Sequence, residues 1–173
     1  MLMFARILSI CLLSTTALTA ADWPQHLGPL RTGHSAESEL LNTWPTDGLK
    51  INWKIEGGVG MSGIAVVDGI AVTLVQKNEK QLAIAVDAKT GEAKWETAIA
   101  PAYSNAMGNG PRAFPAIASG QAFVFTGQGI LASVDLASGK LNWKHDTIKE
   151  YKGEVDGLLP IIQIVAWELV GLE

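Results

Sequence analysis

Short apolar runs separated by glycine-bearing turns set the rhythm of this chain between residues 62 and 147. Residues 64–67 are apolar, Asp68-Gly69 follows, and a second run covers 70–75. A third run covers 81–86, and a fourth, with mixed polarity, covers 92–97. Asp-Gly between apolar runs is a strong hairpin signal, because both residues tolerate the positive φ of a tight turn. The same order then recurs at 115–119, 121–126, 130–134 and 140–145, with turns at Gly120 and at Gly127 and Gly129. Glycine and β-branched residues interrupt every window long enough for a helix, so the pattern predicts strands.

The two sets align. Ala85-Val86-Asp87-Ala88-Lys89-Thr90-Gly91-Glu92-Ala93-Lys94-Trp95 matches Ser133-Val134-Asp135-Leu136-Ala137-Ser138-Gly139-Lys140-Leu141-Asn142-Trp143, each position 48 residues on. Gly69 and Gly120 are 51 apart, which predicts a longer hairpin at 76–80 than at Gly127. Four antiparallel strands per repeat of about 40–50 residues is the signature of a propeller blade. The expected fold is all-β: an incomplete β-propeller with about two four-stranded antiparallel blades, at 62–99 and 113–147, joined by a loop at 100–112.

Lys50-Ile51-Asn52-Trp53-Lys54 resembles Lys140-Leu141-Asn142-Trp143-Lys144. Residues 50–56 are therefore expected to be the outer strand of an incomplete blade, an N-terminal closing strand, preceded by an extended segment at 21–49. Beyond Tyr151 the blade pattern is lost, and 148–173 forms an atypical, mostly apolar tail. Two origins stay open: a truncated or frame-disrupted gene, or a natural short protein whose tail adds a strand or helix. Truncation is favoured because an open propeller exposes strand edges, and repeat arrays need about three or more units. Self-association through the open edges is a further expectation.

Within each repeat the polar residues have structural uses. Asp87 and Asp135 end a strand and are placed to accept hydrogen bonds from amides two or three residues on. Gly91 and Gly139 permit positive φ in that turn. Trp95 and Trp143 then fall on the outermost strand, where a large flat ring can pack against the neighbouring blade.

At these residues the sequence resembles the PQQ-like β-propeller repeat family. Ala85, Asp87, Thr90, Gly91 and Trp95 fit that family's tryptophan-docking motif, and the second copy departs only at Ser133 and Ser138. Asp22-Trp23-Pro24-Gln25-His26-Leu27-Gly28-Pro29 is similar to the opening of many exported members. The family includes quinoprotein alcohol dehydrogenases, the outer-membrane assembly factor BamB and secreted propellers of unknown role. The resemblance thus implies either a binding or scaffold module, or a piece of a PQQ-dependent dehydrogenase. Only the second implies PQQ and calcium, held by acids and an amide on the channel face.

Composition narrows the partners. The 173 residues are 48% hydrophobic and 17% charged, which excludes a disordered class. The formal charge is −4 with no basic cluster, so nucleic acid is not an expected partner. Residues 1–20 carry a weakly positive start, an apolar run at 7–13 and a small, polar end, the layout of a secretory signal peptide. Cleavage is expected near Ala20 or Ala21. The apolar run is too short for a span of about 20 residues, so no transmembrane anchor is expected. The single cysteine, Cys11, leaves with that peptide, so the mature chain has no disulfide or thiolate. The expected address is periplasmic or extracellular, and the expected partners are envelope or secreted proteins.

Candidate chemistry is sparse. Asn109 and Arg112, in the loop between the blades, offer donors to an anionic group or a partner carboxylate; an ion pair between Arg112 and an acid of a neighbouring blade is the plainer alternative. His26, His34 and His145 lack metal-ligand spacing. The glycine-rich stretch 57–63 lacks the Lys-Ser/Thr ending of a phosphate loop. No catalytic residue and no metal ligand is identified, and no cofactor is expected outside the dehydrogenase alternative.

Overall fold

The computed structural model describes residues 21–38 and 40–152. The signal peptide expected at 1–20 and the tail from residue 153 lie outside the described residues.

Among the described residues, eight strands and one short helix follow in order: β1 (Ala65–Val67), β2 (Ile70–Lys77), β3 (Lys80–Asp87), β4 (Ala93–Pro101), β5 (Ala116–Ala118), β6 (Gln121–Phe125), β7 (Ile130–Asp135), β8 (Leu141–Asp146) and α1 (Thr147–Tyr151). They form two separate four-stranded sheets, β1-β2-β3-β4 and β5-β6-β7-β8, with every neighbouring pair antiparallel. These are the two blades. The β1–β2 turn has Asp68 at φ 50° and Gly69 at φ 72°, and the β5–β6 turn has Ser119 at 49° and Gly120 at 73°. Two consecutive positive φ values match the right-handed twist of the flanking strands. The extra length of blade 1 is strand, not loop: Lys77 pairs with Lys80 across a two-residue turn at Asn78 and Glu79.

The core lies between the sheets. Ala65, Val72, Leu74, Ala83, Ala85 and Ile99 of blade 1 meet Ile117, Ala122, Val124, Ala132, Val134 and Leu136 of blade 2. Alternation along each strand sends one set of side chains to this face and the other to the opposite face. A bulge recurs at the same place in both blades, where the register slips between Ala85 and Val86 and between Ser133 and Val134. It sets Trp95 opposite Ala85, and Trp143 opposite Ser133. A bulge of this kind re-aims the side chains that follow it.

Two N-terminal stretches lie against the blades. Residues 22–24 do more than extend: they clip the first strands of both blades. Trp23 and Val66 exchange backbone bonds at 2.8 and 2.9 Å, and the Ile117 amide donates to Pro24 O at 2.8 Å. Residues 50–56, expected as an outer strand, form no strand and pair with none among the described residues. Trp53 nevertheless takes a docked position, described below.

Candidate functional site

The docking turns are built the same way twice. Asp87 Oδ1 accepts from the Lys89 amide at 3.0 Å, the Thr90 amide at 2.9 Å and the Thr90 hydroxyl at 3.1 Å. Asp135 Oδ1 accepts from the Ser138 amide at 2.8 Å and the Ser138 hydroxyl at 2.5 Å. The Thr90 amide, followed by its hydroxyl and the Lys89 amide, holds the Asp87 carboxyl below its ordinary range. For Asp135 the Ser138 hydroxyl leads, followed by the Ser138 amide. Bonds to the ionised form favour it, which is the sign expected here. Gly91 and Gly139 then turn at φ 75° and 74°.

Each turn is a slot for an indole from the preceding unit. Trp95 Nε1 donates to Leu136 O at 2.8 Å, and its ring lies so close over Gly139 that a Cβ there would meet Trp95 Cγ at 2.5 Å. Thr97 Oγ1 adds a bond to Gly139 O at 2.5 Å. Trp53 repeats the arrangement one unit earlier, with Nε1 donating to Ala88 O at 3.1 Å and a Cβ on Gly91 meeting its Cδ2 at 2.6 Å. Trp143 has no such turn among the described residues. Its ring lies 6.1 Å from Phe123 and 5.4 Å from His145. The motif thus places Ala85, Asp87, Thr90, Gly91, Trp95, Asp135 and Gly139 in one interlocking device, and leaves Trp143 outside it.

The loop between the blades sits at the opposite end of the sheets from these turns. The Tyr103 amide donates to Gln76 Oε1 at 2.6 Å, and the Ala102 amide to Glu79 O at 2.9 Å. Gln128 Nε2 reaches across from blade 2 to Pro101 O and Ala102 O, both at 3.0 Å. Asn109 Oδ1 accepts from the Ser104 hydroxyl at 2.8 Å and the Asn105 amide at 3.4 Å. Arg112 Nη2 donates to Gly108 O at 2.5 Å, and the guanidinium carbon lies 5.8 Å from the centre of the Tyr103 ring. Its Nε is buried without a partner. Within the loop Asn109 thus uses its side-chain oxygen and Arg112 its Nη2, and no acid of either blade forms an ion pair with Arg112. What the loop projects is Met107, 65% exposed. Gln76, Gln128 and Tyr103, which fix the loop, carried no sequence signal beyond their polarity.

PQQ with calcium requires converging acids near the channel. Among the described residues no three His, Cys, Asp or Glu side chains converge. Asp87 and Asp135 cap their turns, and Asp146 caps α1 by accepting from the Lys149 amide at 3.1 Å. The inner strands β1 and β5 present only Ala, Val and Ile. Nor is any helix among the described residues long and apolar enough to cross a membrane.

A family model described as outer membrane protein assembly factor BamB matches residues 36–161. No curated protein matches the chain significantly. Among solved structures, the quinohemoprotein alcohol dehydrogenase from Comamonas testosteroni is similar over 83% of this chain and 21% of its own, with 22% identity and a TM-score of 0.55. BamB from Moraxella catarrhalis is similar over 53% of this chain and 23% of its own, with 29% identity and a TM-score of 0.35. Quinohemoprotein alcohol dehydrogenase ADHIIG from Pseudomonas putida HK5 gives 55% and 14%, with 22% identity and a TM-score of 0.40. The chain thus spans less than a quarter of the length of these structures. The likeness to the Comamonas enzyme speaks to the fold, a β-propeller.

Proposed function

Since the chain belongs to the PQQ-like repeat family described as outer membrane protein assembly factor BamB, we propose that it works as an exported, non-enzymatic binding or scaffold module. Its partners are envelope or secreted proteins, and its address is the periplasm or the cell exterior. One observation carries this proposal. The repeated carboxylates that tempt a catalytic assignment, Asp87 and Asp135, are capped by their own turns.

The binding face is the end of the blades bearing the 103–112 loop. Four tethers from Gln76, Glu79, Gln128 and Asn109 fix that loop before any partner arrives. Fixing a loop in advance lowers the entropy cost of association. Met107 at its tip is an adaptable apolar contact of the sort found on binding surfaces.

The test places a photo-crosslinking phenylalanine analogue at position 107, and separately at position 69 on the opposite end, in full chain expressed with its leader. Cross-linking of an envelope protein from 107 and not from 69, in a periplasmic fraction, is the expected result. Equal labelling from both positions, or stoichiometric uptake of PQQ and calcium by absorbance, would overturn the proposal.

A further inference from the structure

Among the described residues, Arg112 is a cation without a counter-charge. It belongs to a chain of formal charge −4, and none of the ion pairs formed there includes it. Its guanidinium is nevertheless held in place. Nη2 donates to Gly108 O at 2.5 Å, and Cζ lies 5.8 Å from the centre of the buried Tyr103 ring. Tyr103 is itself fixed, because its amide donates to Gln76 Oε1 at 2.6 Å and its carbonyl accepts from the Gly110 amide at 3.0 Å. Nε is shut away from water with no acceptor. A guanidinium carries five N–H donors and no acceptor, so one carbonyl satisfies part of it and neutralises none of it. Partial removal from water strengthens the attraction of the remaining N–H groups for an anion.

The surroundings select among anions. Arg112 Nη2 grips the carbonyl that precedes Asn109, and Asn109 uses its Oδ1 within the loop, which keeps its Nδ2 as a neutral donor. The rim is apolar. Met61 is 56% exposed and Met107 65%, and the Met61 methyl lies over Gly108, where a Cβ would meet it at 3.0 Å. A cation and an amide set between two flexible thioethers suit a carboxylate with apolar neighbours, and not a heavily hydrated free ion. Arginine is enriched among the residues that dominate interfaces, and methionine on adaptable binding surfaces. We propose that Arg112 is the specificity-determining residue of this face and receives an aspartate or glutamate side chain of a protein partner, flanked in that partner by apolar residues. The proposal rests on the binding face assigned above and adds the chemistry that face recognises.

Nuclear magnetic resonance of the full chain reads the outcome through the Arg112 Nε–H and Met107 methyl signals. The probes are acetyl-Leu-Glu-Leu-amide, the same peptide with glutamine at its centre, and acetate. The glutamate peptide should shift both signals saturably, and the glutamine peptide should bind roughly tenfold or more weakly, as for loss of a charge-assisted bond. Arg112→Gln should abolish the preference, and Arg112→Lys, which keeps the charge and loses the planar fork, should restore only part of it. The wild-type comparison of the two peptides stands whether or not the variants keep the loop. Equal binding of the two peptides, or an unchanged preference in Arg112→Gln, overturns the proposal. Acetate that binds as tightly as the glutamate peptide overturns it too, and makes this a site for free anions. Repeating the position-107 cross-linking in Arg112→Gln separates the two readings. Undiminished capture of the partner sinks the role of Arg112 and leaves the binding face standing, whereas a wild type that captures nothing sinks the face itself.

Discussion

Replacing Gly139 with alanine separates two costs that usually arrive together. The first is conformational. Gly139 sits at φ 74°, and an L-residue held there costs about 1–2 kcal/mol. The second is steric. The new Cβ would lie 2.5 Å from Trp95 Cγ and 2.7 Å from Trp95 Cβ. Those atoms are the root of the side chain, not its tip, so a small χ change cannot clear them. Relieving the overlap means undocking the ring or shifting the sheet, and overpacking of this sort costs about 1–3 kcal/mol. The sum is about 2–5 kcal/mol. Gly120 supplies the control. Its φ is 73°, and a Cβ there meets nothing within 4 Å, so Gly120→Ala should cost only the conformational part. Urea unfolding followed by circular dichroism measures both, with comparable slopes required for the comparison. A double mutant cycle adds the decisive arm: in a Trp95→Ala background the steric excess at Gly139 should vanish. Equal costs at Gly139 and Gly120, or an excess that survives removal of the indole, would refute the docking geometry.

The remaining expectations are smaller. Asp135→Asn should lower Tm at neutral pH. The Asp135 carboxyl is held below its ordinary 3.8, so its stabilising effect is complete above that value. It is lost as pH falls through the lowered value, and wild-type and variant Tm should converge there in a pH series. Asn109→Ala should leave stability within about 1 kcal/mol, as for an exposed hydrogen bond, while speeding proteolysis between residues 104 and 107. Removing residues 21–24 should release the clip across β1 and β5, seen as faster hydrogen exchange at the Val66 and Ile117 amides without change at Val124.

Much of this architecture was legible in the chain, because period-2 alternation and Asp-Gly or Ser-Gly turns are local properties. The strands of the described residues fall on the apolar runs and on the mixed fourth segments that follow them, and the 48-residue match of Asp87, Gly91 and Trp95 to Asp135, Gly139 and Trp143 announced a docking device. What sequence withheld depends on partners distant along the chain. Trp23 and Pro24 read only as an opening segment, since their bonds go to Val66 and Ile117, in two different blades. Trp53 read only as part of an outer-strand segment, since its docking bond goes to Ala88, 35 residues on. The local bonds of Asn109 and Arg112 were not legible, because a loop hides its internal bonds. Their partners, Ser104, Asn105 and Gly108, lie so near in sequence that nothing marks them as partners rather than neighbours.

The most direct measurement is the Trp95 indole in solution. Nuclear magnetic resonance should find its Nε1 proton slow to exchange, with close contacts to the Gly139 α-protons and the Leu136 backbone. A rapidly exchanging indole proton with no contact to Gly139 would mean that the two sheets do not lock as described, and the account built on them would fall.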